Sequence, residues 1–176
     1  MADFNFNTPA GQTITRGLMI MCLNTGTAEA PVWSPVGKRV TDSSMDLDWS
    51  VETSTDIFDE TYSTGKKATR TQTFDPYALD SADEAVKHIW ELGVKENNVN
   101  ALLNQDCLIV HLYATNESDA AFAERYSACA VLPTSFGGEG GGNLNMSVDV
   151  TYGGKRTTGS AEKTESGIVF TADVTV

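Results

Sequence analysis

The chain has 176 residues, of which 40% are hydrophobic, and this is enough for one domain with a buried core. Its formal net charge is −12, from 24 acidic and 12 basic residues. That balance argues against a phosphate-binding surface for nucleic acid, which requires clustered lysine and arginine. It does not exclude a surface that repels nucleic acid.

The N-terminal residues 1–12 have neither a basic start nor an apolar run. The nearest apolar stretch, Leu18–Leu23, is too short for a signal sequence or a membrane span. The sequence therefore predicts a protein that is made and kept in a cytoplasm, without a membrane partner. Cys22, Cys107 and Cys129 are widely spaced in apolar segments, which indicates buried thiols rather than a disulfide framework or a zinc site.

Two early strands have different patterns. Leu18–Leu23 is apolar on both alternating faces, which is typical of a strand covered on both sides, and a neighbouring subunit is one possible cover. A shorter strand at residues 32–40 is interrupted by Pro35. Residues 45–51 alternate strictly and predict a strand with one wet face. Its apolar side holds Met45, Leu47, Trp49 and Val51, and its polar side holds Asp46, Asp48 and Ser50.

A long irregular loop is predicted after this strand. Residues 52–65 show no regular period, and a loop of this length in a compact domain is usually functional. Ile57, Phe58 and Tyr62 lie within it, and apolar residues without a period indicate burial against a partner. A threonine-rich strand follows at residues 66–74.

One helix is predicted, at roughly residues 82–92. Ser81 is the expected N-cap, with Glu84 completing a capping box, and Gly93 is the expected residue after the C-terminus. An apolar stripe indicates that one face of this helix lies on a sheet. The stripe consists of Ala85, Val86, Ile89 and Trp90.

The second half of the chain reads as further strands. Residues 107–113 and 125–133 are two of them, with a short helical turn expected between, and His111 is expected to be a satisfied histidine on a half-buried strand. A glycine-rich loop then leads into an alternating strand at residues 144–152. Gly153-Gly154 predicts a hairpin to residues 155–161, and residues 168–174 alternate again in a last strand.

No pattern for a catalytic, cofactor or metal site is present in the sequence. Gly137 and Gly142 have the spacing of a phosphate-binding loop, but Asn143 and Leu144 stand where that motif needs lysine and serine or threonine. A nucleophile elbow and a calcium loop are also missing. Seven to nine strands and one helix predict a mainly β fold, an antiparallel β-sandwich or barrel flanked by one α-helix.

Two segments resemble a known family. Residues 52–93 contain an Asp-Ile element, a threonine-rich strand, an acidic-Pro turn and a helix, and residues 125–160 contain a Ser-x-Gly-Gly-acid-Gly segment that leads into an alternating strand. In their order and spacing these parts resemble the major tail (tail tube) proteins of long-tailed phages and prophages, of the siphophage type common in Gram-positive hosts. The resemblance covers most of the chain.

The resemblance implies one tail-tube domain over residues 1–176, with an N-terminal arm at about 1–12, an inter-subunit loop at about 51–65 and no C-terminal immunoglobulin-like domain. Family members form hexameric rings that stack into a tube, with strands of six subunits joined in a barrel around the channel. The implied partners are further copies of the chain, the tape-measure protein and the tail terminator and distal tail proteins. The implied location is the virion tail, assembled in the cytoplasm of a host bacterium, and DNA passes through the channel without specific binding.

The resemblance also assigns roles to residues. A loop between subunits or rings maps to Asp56, Ile57, Phe58, Asp59, Glu60 and Tyr62. The candidate polar wall of the channel, which would repel DNA phosphates, consists of Asp46, Asp48, Asn145, Ser147, Asp149 and Thr151. Val86, Ile89 and Trp90 are expected to pack the helix on the sheet.

An alternative function is a β-rich surface or baseplate-like binding module, such as an adhesin or a carbohydrate-binding domain. Such a module needs a cluster of exposed aromatic residues. Trp33, Trp49 and Trp90 are instead expected to be packing residues of strands and the helix.

Overall fold

The computed structural model describes residues 3–173, which form twelve β-strands and two α-helices. The strands are β1 Asn5–Phe6, β2 Met19–Asn24, β3 Trp33–Pro35, β4 Met45–Asp48, β5 Glu52–Thr55, β6 Thr61–Thr64, β7 Thr69–Ala78, β8 Gln105–Thr115, β9 Ala121–Gly137, β10 Asn145–Tyr152, β11 Arg156–Thr164 and β12 Gly167–Ala172. The helices are α1 Glu84–Trp90, which continues as a π-helical turn at Glu91–Lys95, and α2 Val99–Leu102, and a 3-10 turn spans Arg16–Leu18. Ten strands form one antiparallel sheet. The predicted fold class is confirmed, with α2 as a second, one-turn helix.

Strand β9 belongs to both halves of the ten-stranded sheet. Its residues 121–126 pair with β8 on one side and β11 on the other, and its residues 130–137 pair with β10. We call β4, β7, β10 and residues 130–137 the small half. The large half consists of β1, β2, β3, β8, β11, β12 and residues 121–126.

The predicted hairpin at Gly153-Gly154 is wrong. Strand β11 does not return along β10; it continues along β9, so that β10 and β11 together follow β9 over almost its full length. Gly154 has φ +71°, and a Cβ added there would lie 2.7 Å from the backbone nitrogen of Ala128. The two glycines therefore mark the bend at which β10 and β11 pass from one half to the other.

The main core lies between the two halves and under α1. It takes residues from β2, β8 and β9 of the large half and from β7 and β10 of the small half, together with Ala85, Val86 and Ile89 of α1. Trp90 is half-buried. A second apolar cluster covers the opposite face of β2 and β8, with Trp33 of β3 and Ala161 of β11 and with Ile168 and Phe170 of β12. Both faces of β2 are therefore covered within the chain, and no neighbouring subunit is needed there.

Helix α1 begins at Glu84, two residues later than predicted. The N-cap is Asp83, whose carboxylate Oδ1 accepts hydrogen bonds from the backbone nitrogens of Ala85 and Val86 at 3.1 and 3.2 Å. Ser81 lies in the preceding turn and makes no cap. Gly93 does not end the helix either, because it lies within the π-helical turn and packs against Pro133.

Three further expectations differ from the structure. Residues 52–64 form a regular hairpin, β5–β6, rather than an irregular loop. The segment between β8 and β9 is a tight turn at residues 116–120 in which the Asn116 side chain accepts two backbone hydrogen bonds, not a helical turn. Trp49 is 54% exposed and is not a packing residue. The last residue of the predicted final strand, Val174, lies outside the described residues.

Candidate assembly surfaces

One face of the small half is polar and mostly exposed. Thr151 of β10 lies opposite Thr71 of β7, which lies opposite Asp46 of β4. Directly opposite residues of antiparallel strands share a face of the sheet, so alternate residues of these three strands form one surface. We call it the acidic face. It consists of Asp46, Asp48, Thr69, Thr71, Thr73, Asp75, Asn145, Ser147, Asp149 and Thr151.

The acidic face joins two groups of residues that are far apart in the sequence. The predicted polar residues of β4 and of β10 lie on the same side of the sheet, with a row of threonines from β7 between them. Thr73 Oγ1 donates to Asp149 Oδ1 at 2.8 Å, and Ser147 Oγ donates to Asp75 Oδ1 at 2.6 Å. Within the described parts of these three strands, the face holds four aspartates and no lysine or arginine.

The small half has two free edges. Strand β4 pairs with β7 on one side and with no described strand on the other. At the opposite edge, residues 130–137 of β9 likewise pair with β10 alone among the described strands. An unpaired edge offers a row of backbone donors and acceptors to another strand.

Exposed apolar side chains accompany both free edges. Leu47, Trp49 and Val51 are about half or more exposed at the β4 edge. At the β9 edge, the helical segment that contacts Pro133 carries exposed Val94. Helix α2 follows with exposed Val99, and exposed Leu103 comes directly after it. Apolar residues that cluster beside an unpaired edge are typical of a protein–protein contact.

The β5–β6 hairpin ends in an ordered turn at residues 56–60, which we call the hairpin tip. Asp56 Oδ1 accepts hydrogen bonds from the backbone nitrogens of Phe58 and Glu60 at 2.8 and 3.0 Å. These two bonds hold the pKa of Asp56 below its usual value. Ile57 and Phe58 are 93% and 79% exposed at the turn, so the tip presents two apolar side chains on a fixed backbone.

Tyr62 supports the hairpin tip from the side. Its hydroxyl lies 2.9 Å from Glu60 Oε2 and 3.1 Å from Asp56 Oδ2, and these carboxylates raise the pKa of the phenol. The structure thus brings all six predicted loop residues into one ordered unit. The sequence had indicated the apolar residues but not the regular hairpin that carries them.

A groove of about 250 Å³ lies beside α1, and we call it the helix groove. Leu79, Val86 and Trp90 give it apolar walls, and Ser81 and Lys87 lie at its rim. Asp80 also lines it and is paired with Lys38, whose Nζ is 3.1 Å from Asp80 Oδ2. Trp90, which was expected to pack on the sheet, is half-buried and lines this groove, which no sequence pattern predicted.

No sequence pattern predicted the buried ionic cluster around Glu124. The Glu124 carboxylate is 4% exposed and pairs with Arg70 of β7 and with Arg156 of β11, whose Nη2 lies 2.8 Å from Oε1. The Tyr126 hydroxyl donates to it at 2.9 Å. His111 Nε2 lies 4.0 Å from Glu124 Oε1 and has no hydrogen-bond partner among the described residues. His111 is therefore satisfied at Nδ1 alone, by the Tyr113 hydroxyl at 2.8 Å.

Residues 3–173 contain no group of three histidine, cysteine or acidic side chains arranged to hold a metal ion. Their helices are all too short or too polar to cross a membrane. The glycine-rich loop at residues 138–144 connects the paired strands β9 and β10.

Comparison with known proteins shows that this chain is similar in fold, but not in sequence, to solved structures. No family model matches the sequence, and no curated protein is significantly similar to it. Among solved structures, a chain of the sheath–tube complex of the extracellular contractile injection system PVC, in its extended state, matches with a TM-score of 0.51 and 9% identity, over 86% of this chain and 94% of the other. The sheath/tube terminator of PVC matches with a TM-score of 0.52 and 8% identity, over 85% and 99%.

The chain has the fold of tube-associated proteins. The tube-terminating cap of the anti-feeding prophage, AFP, also matches, with a TM-score of 0.50 and 13% identity, over 88% of this chain and 96% of the other. All three solved structures are parts of tube or sheath assemblies. The overlap extends over nearly the full length of each, so the shared fold includes both halves of the sheet.

Proposed function

We propose that this chain is a structural, non-enzymatic tail-tube protein whose copies form hexameric rings that stack into a channel for genome delivery. The observation that supports it most is the small half, in which an acidic face lies between two free edges. The shared fold with tube-associated proteins agrees with it.

Pairing of the β4 edge of one copy with the β9 edge of the next would build a ring. The β4 edge and the β9 edge are different surfaces, so pairing one with the other is a head-to-tail contact, which closes into a ring when the rotation between copies allows it. The four strands of the small half alternate in direction, and β4 therefore runs opposite to residues 130–137. Each new junction between copies is then antiparallel, like every pair inside the subunit.

The acidic face would form the wall of the channel. Duplex DNA carries about one charge per 1.7 Å and is held by cationic surfaces. A wall of aspartates, threonines and serines repels phosphates and has no lysine or arginine to hold them, so that DNA can slide past it. The exposed apolar residues at both edges would be buried between neighbouring copies in the same arrangement.

The narrower parts of the proposal concern the particle. We propose a single tail-tube domain, a virion tail location with assembly in the bacterial cytoplasm, and contacts with a tape-measure protein, a tail terminator and a distal tail protein. The siphophage type of tail stays a separate prediction, since the PVC structures come from a contractile system and do not support it.

Electron microscopy of the purified protein tests the proposal. We expect negative-stain images to show rings with six-fold symmetry or hollow tubes, and light scattering to show mass that grows with protein concentration. A protein that stays monomeric at high concentration and in crowded solution would contradict ring formation.

The alternative binding-module function is kept because Trp49 is exposed, contrary to the sequence prediction. An exposed tryptophan is a common contact for sugars or partner proteins. A monodisperse monomer or trimer that binds glycans, with binding lost on Trp49→Ala, would favour this alternative over a tube.

A further inference from the structure

We propose that the hairpin tip of one copy docks into the helix groove of a copy in the next ring. This inference rests on the proposed function, because it requires stacked rings. It assigns a receptor to the tip and a ligand to the groove within the same chain, so that stacking needs no other protein.

The tip and the groove lie at opposite ends of the small half. The hairpin leaves the sheet where β7 begins, and the Lys66 nitrogen donates to the Trp49 carbonyl at 3.0 Å at its base. The groove begins with Leu79, directly after β7 ends at Ala78. Ten strand residues span about 33 Å, so the two surfaces are separated by the length of β7. In a stack whose axis follows β7, they would face neighbouring rings on opposite sides. Complementary surfaces at opposite ends are what a head-to-tail repeat requires.

The two surfaces also match in shape and polarity. Ile57 and Phe58 project from a turn that is already fixed by the Asp56 hydrogen bonds. The groove walls of Leu79 and Trp90 offer apolar surface that α1 and the turn before it leave open. Docking a preordered tip loses less conformational entropy than docking a flexible loop.

Charged side chains surround both the tip and the groove. The tip carries Asp56, Asp59 and Glu60 and no basic residue. Lys87 lies at the rim of the groove, and Lys38 and Arg39 lie beside it, with Nζ and Nη2 atoms 3.1 and 3.4 Å from Asp80 Oδ2. All three basic side chains are already paired within the subunit, Lys38 and Arg39 with Asp80 and Lys87 with Glu84 at 3.0 Å, so an acidic tip would share them with these acids. Their charge would therefore help to orient the tip and would add little to its affinity.

Mixed cysteine variants test the docking between different chains. One protein carries Ile57→Cys and the other Ser81→Cys; the native cysteines are buried and do not compete. Because a disulfide requires Cβ atoms within about 4.5 Å, oxidation of co-assembled tubes should give a cross-linked dimer on non-reducing gels. The matched control replaces Ser81→Cys with Ser166→Cys, in the exposed turn between β11 and β12, and should give several-fold less.

A groove-filling variant provides the second measurement. Ser81→Trp should leave the far-ultraviolet circular dichroism unchanged and should still allow rings, but the rings should not stack, whereas Ser166→Trp should form tubes. Normal tubes from Ser81→Trp, a cross-link no stronger than the control, or rings of the unmodified protein that never stack would each overturn the docking. A complete lack of rings from the unmodified protein would instead contradict the proposed function.

Discussion

Glu124 shows how one buried charge is held in this fold. Burial alone would raise its pKa, but the hydrogen bond from Arg156 and the charge of Arg70 outweigh burial and lower it. The three residues come from β9, β11 and β7, so the cluster ties the two halves together. A buried ion pair is weak evidence for net stability, but removing one partner leaves a costly unpaired charge.

His111 beside this cluster predicts a pH dependence of stability. Burial lowers the pKa of His111, partly opposed by the Glu124 carboxylate, so the folded protein keeps the imidazole neutral where the unfolded chain protonates it. The unfolded state then binds more protons as the pH falls below about 6.5, and the free energy of unfolding decreases. Urea denaturation at pH 7.5 and 5.5 should show a smaller decrease for His111→Gln than for the unmodified protein.

The chain offers a matched control for this experiment. His88, the other of its two histidines, is half-buried on α1, with Nε2 3.1 Å from Gln105 Oε1. His88→Gln makes the same substitution away from the Glu124 cluster and reports the effect of exchanging histidine for glutamine by itself. If the free energy of unfolding of His111→Gln fell between pH 7.5 and 5.5 as much as that of the unmodified protein, His111 would not be the source of the pH dependence.

Asp149 tests the acidic face at a single position. Asp149→Lys places a positive charge in the middle of the face, next to Thr73. We expect intact tubes that retain duplex DNA at low salt and release it as the salt rises, because the contact is between lysine and phosphate. In particles, DNA release should be slower. Glu162→Lys makes the same charge change on β11, and its tubes should not retain DNA; equal behaviour of the two variants would place Asp149 outside the channel.

At the scale of elements, local signals predicted most strands correctly and three connections wrongly, two of which have an instructive cause. Strict alternation predicted β4 and β10, because one face of each strand is polar and the other apolar. The β5–β6 hairpin was read as a loop because nearly all of its residues are exposed on both sides, so that no hydrophobic period exists. Gly153-Gly154 has the local signature of a hairpin turn, and the pairing of β11 with β9 shows that it is a bend.

The start of α1 gives a stability prediction. Asp83 caps the helix and also accepts a hydrogen bond from the Tyr77 hydroxyl at 2.8 Å. Asp83→Ala should lower the free energy of unfolding by about 1–3 kcal/mol, since a cap contributes about 1 kcal/mol and a buried hydroxyl loses its partner. Ser81→Ala, at the predicted but incorrect cap, should change it by less than about 0.5 kcal/mol. Urea denaturation of both variants measures this difference, and equal losses would favour the sequence-based cap.

At the scale of the whole molecule, ring closure predicts different roles for two exposed valines. Val51 lies at the β4 edge and is 64% exposed, and Val169 lies on β12, outside the small half. Val51→Asp should leave the monomer folded but prevent rings, because it places a charge where an apolar contact forms between copies. Val169→Asp should still form rings. Sedimentation velocity measures both, and rings from Val51→Asp would argue against pairing of the β4 and β9 edges.

Local sequence signals could not predict the acidic face or the helix groove. The acidic face requires Asp46 and Thr151 to meet across β7, and this register depends on two pairings of Thr71, with Asp46, 25 positions away, and with Thr151, 80 positions away. The helix groove depends on how α1 and the turn at Leu79 leave space between them. Polarity indicated which residues are candidates, while the tertiary fold determined which of them are neighbours.

The sharing of β9 between the two halves has a mechanical consequence. In a sandwich of two separate sheets, a load on one sheet can be relieved when the sheets slide past each other. Here a single strand of 17 residues runs through both layers, flanked along its length by the continuous path of β10 and β11. A force applied to the acidic face therefore reaches the large half through covalent chain, and the two halves resist sliding past each other.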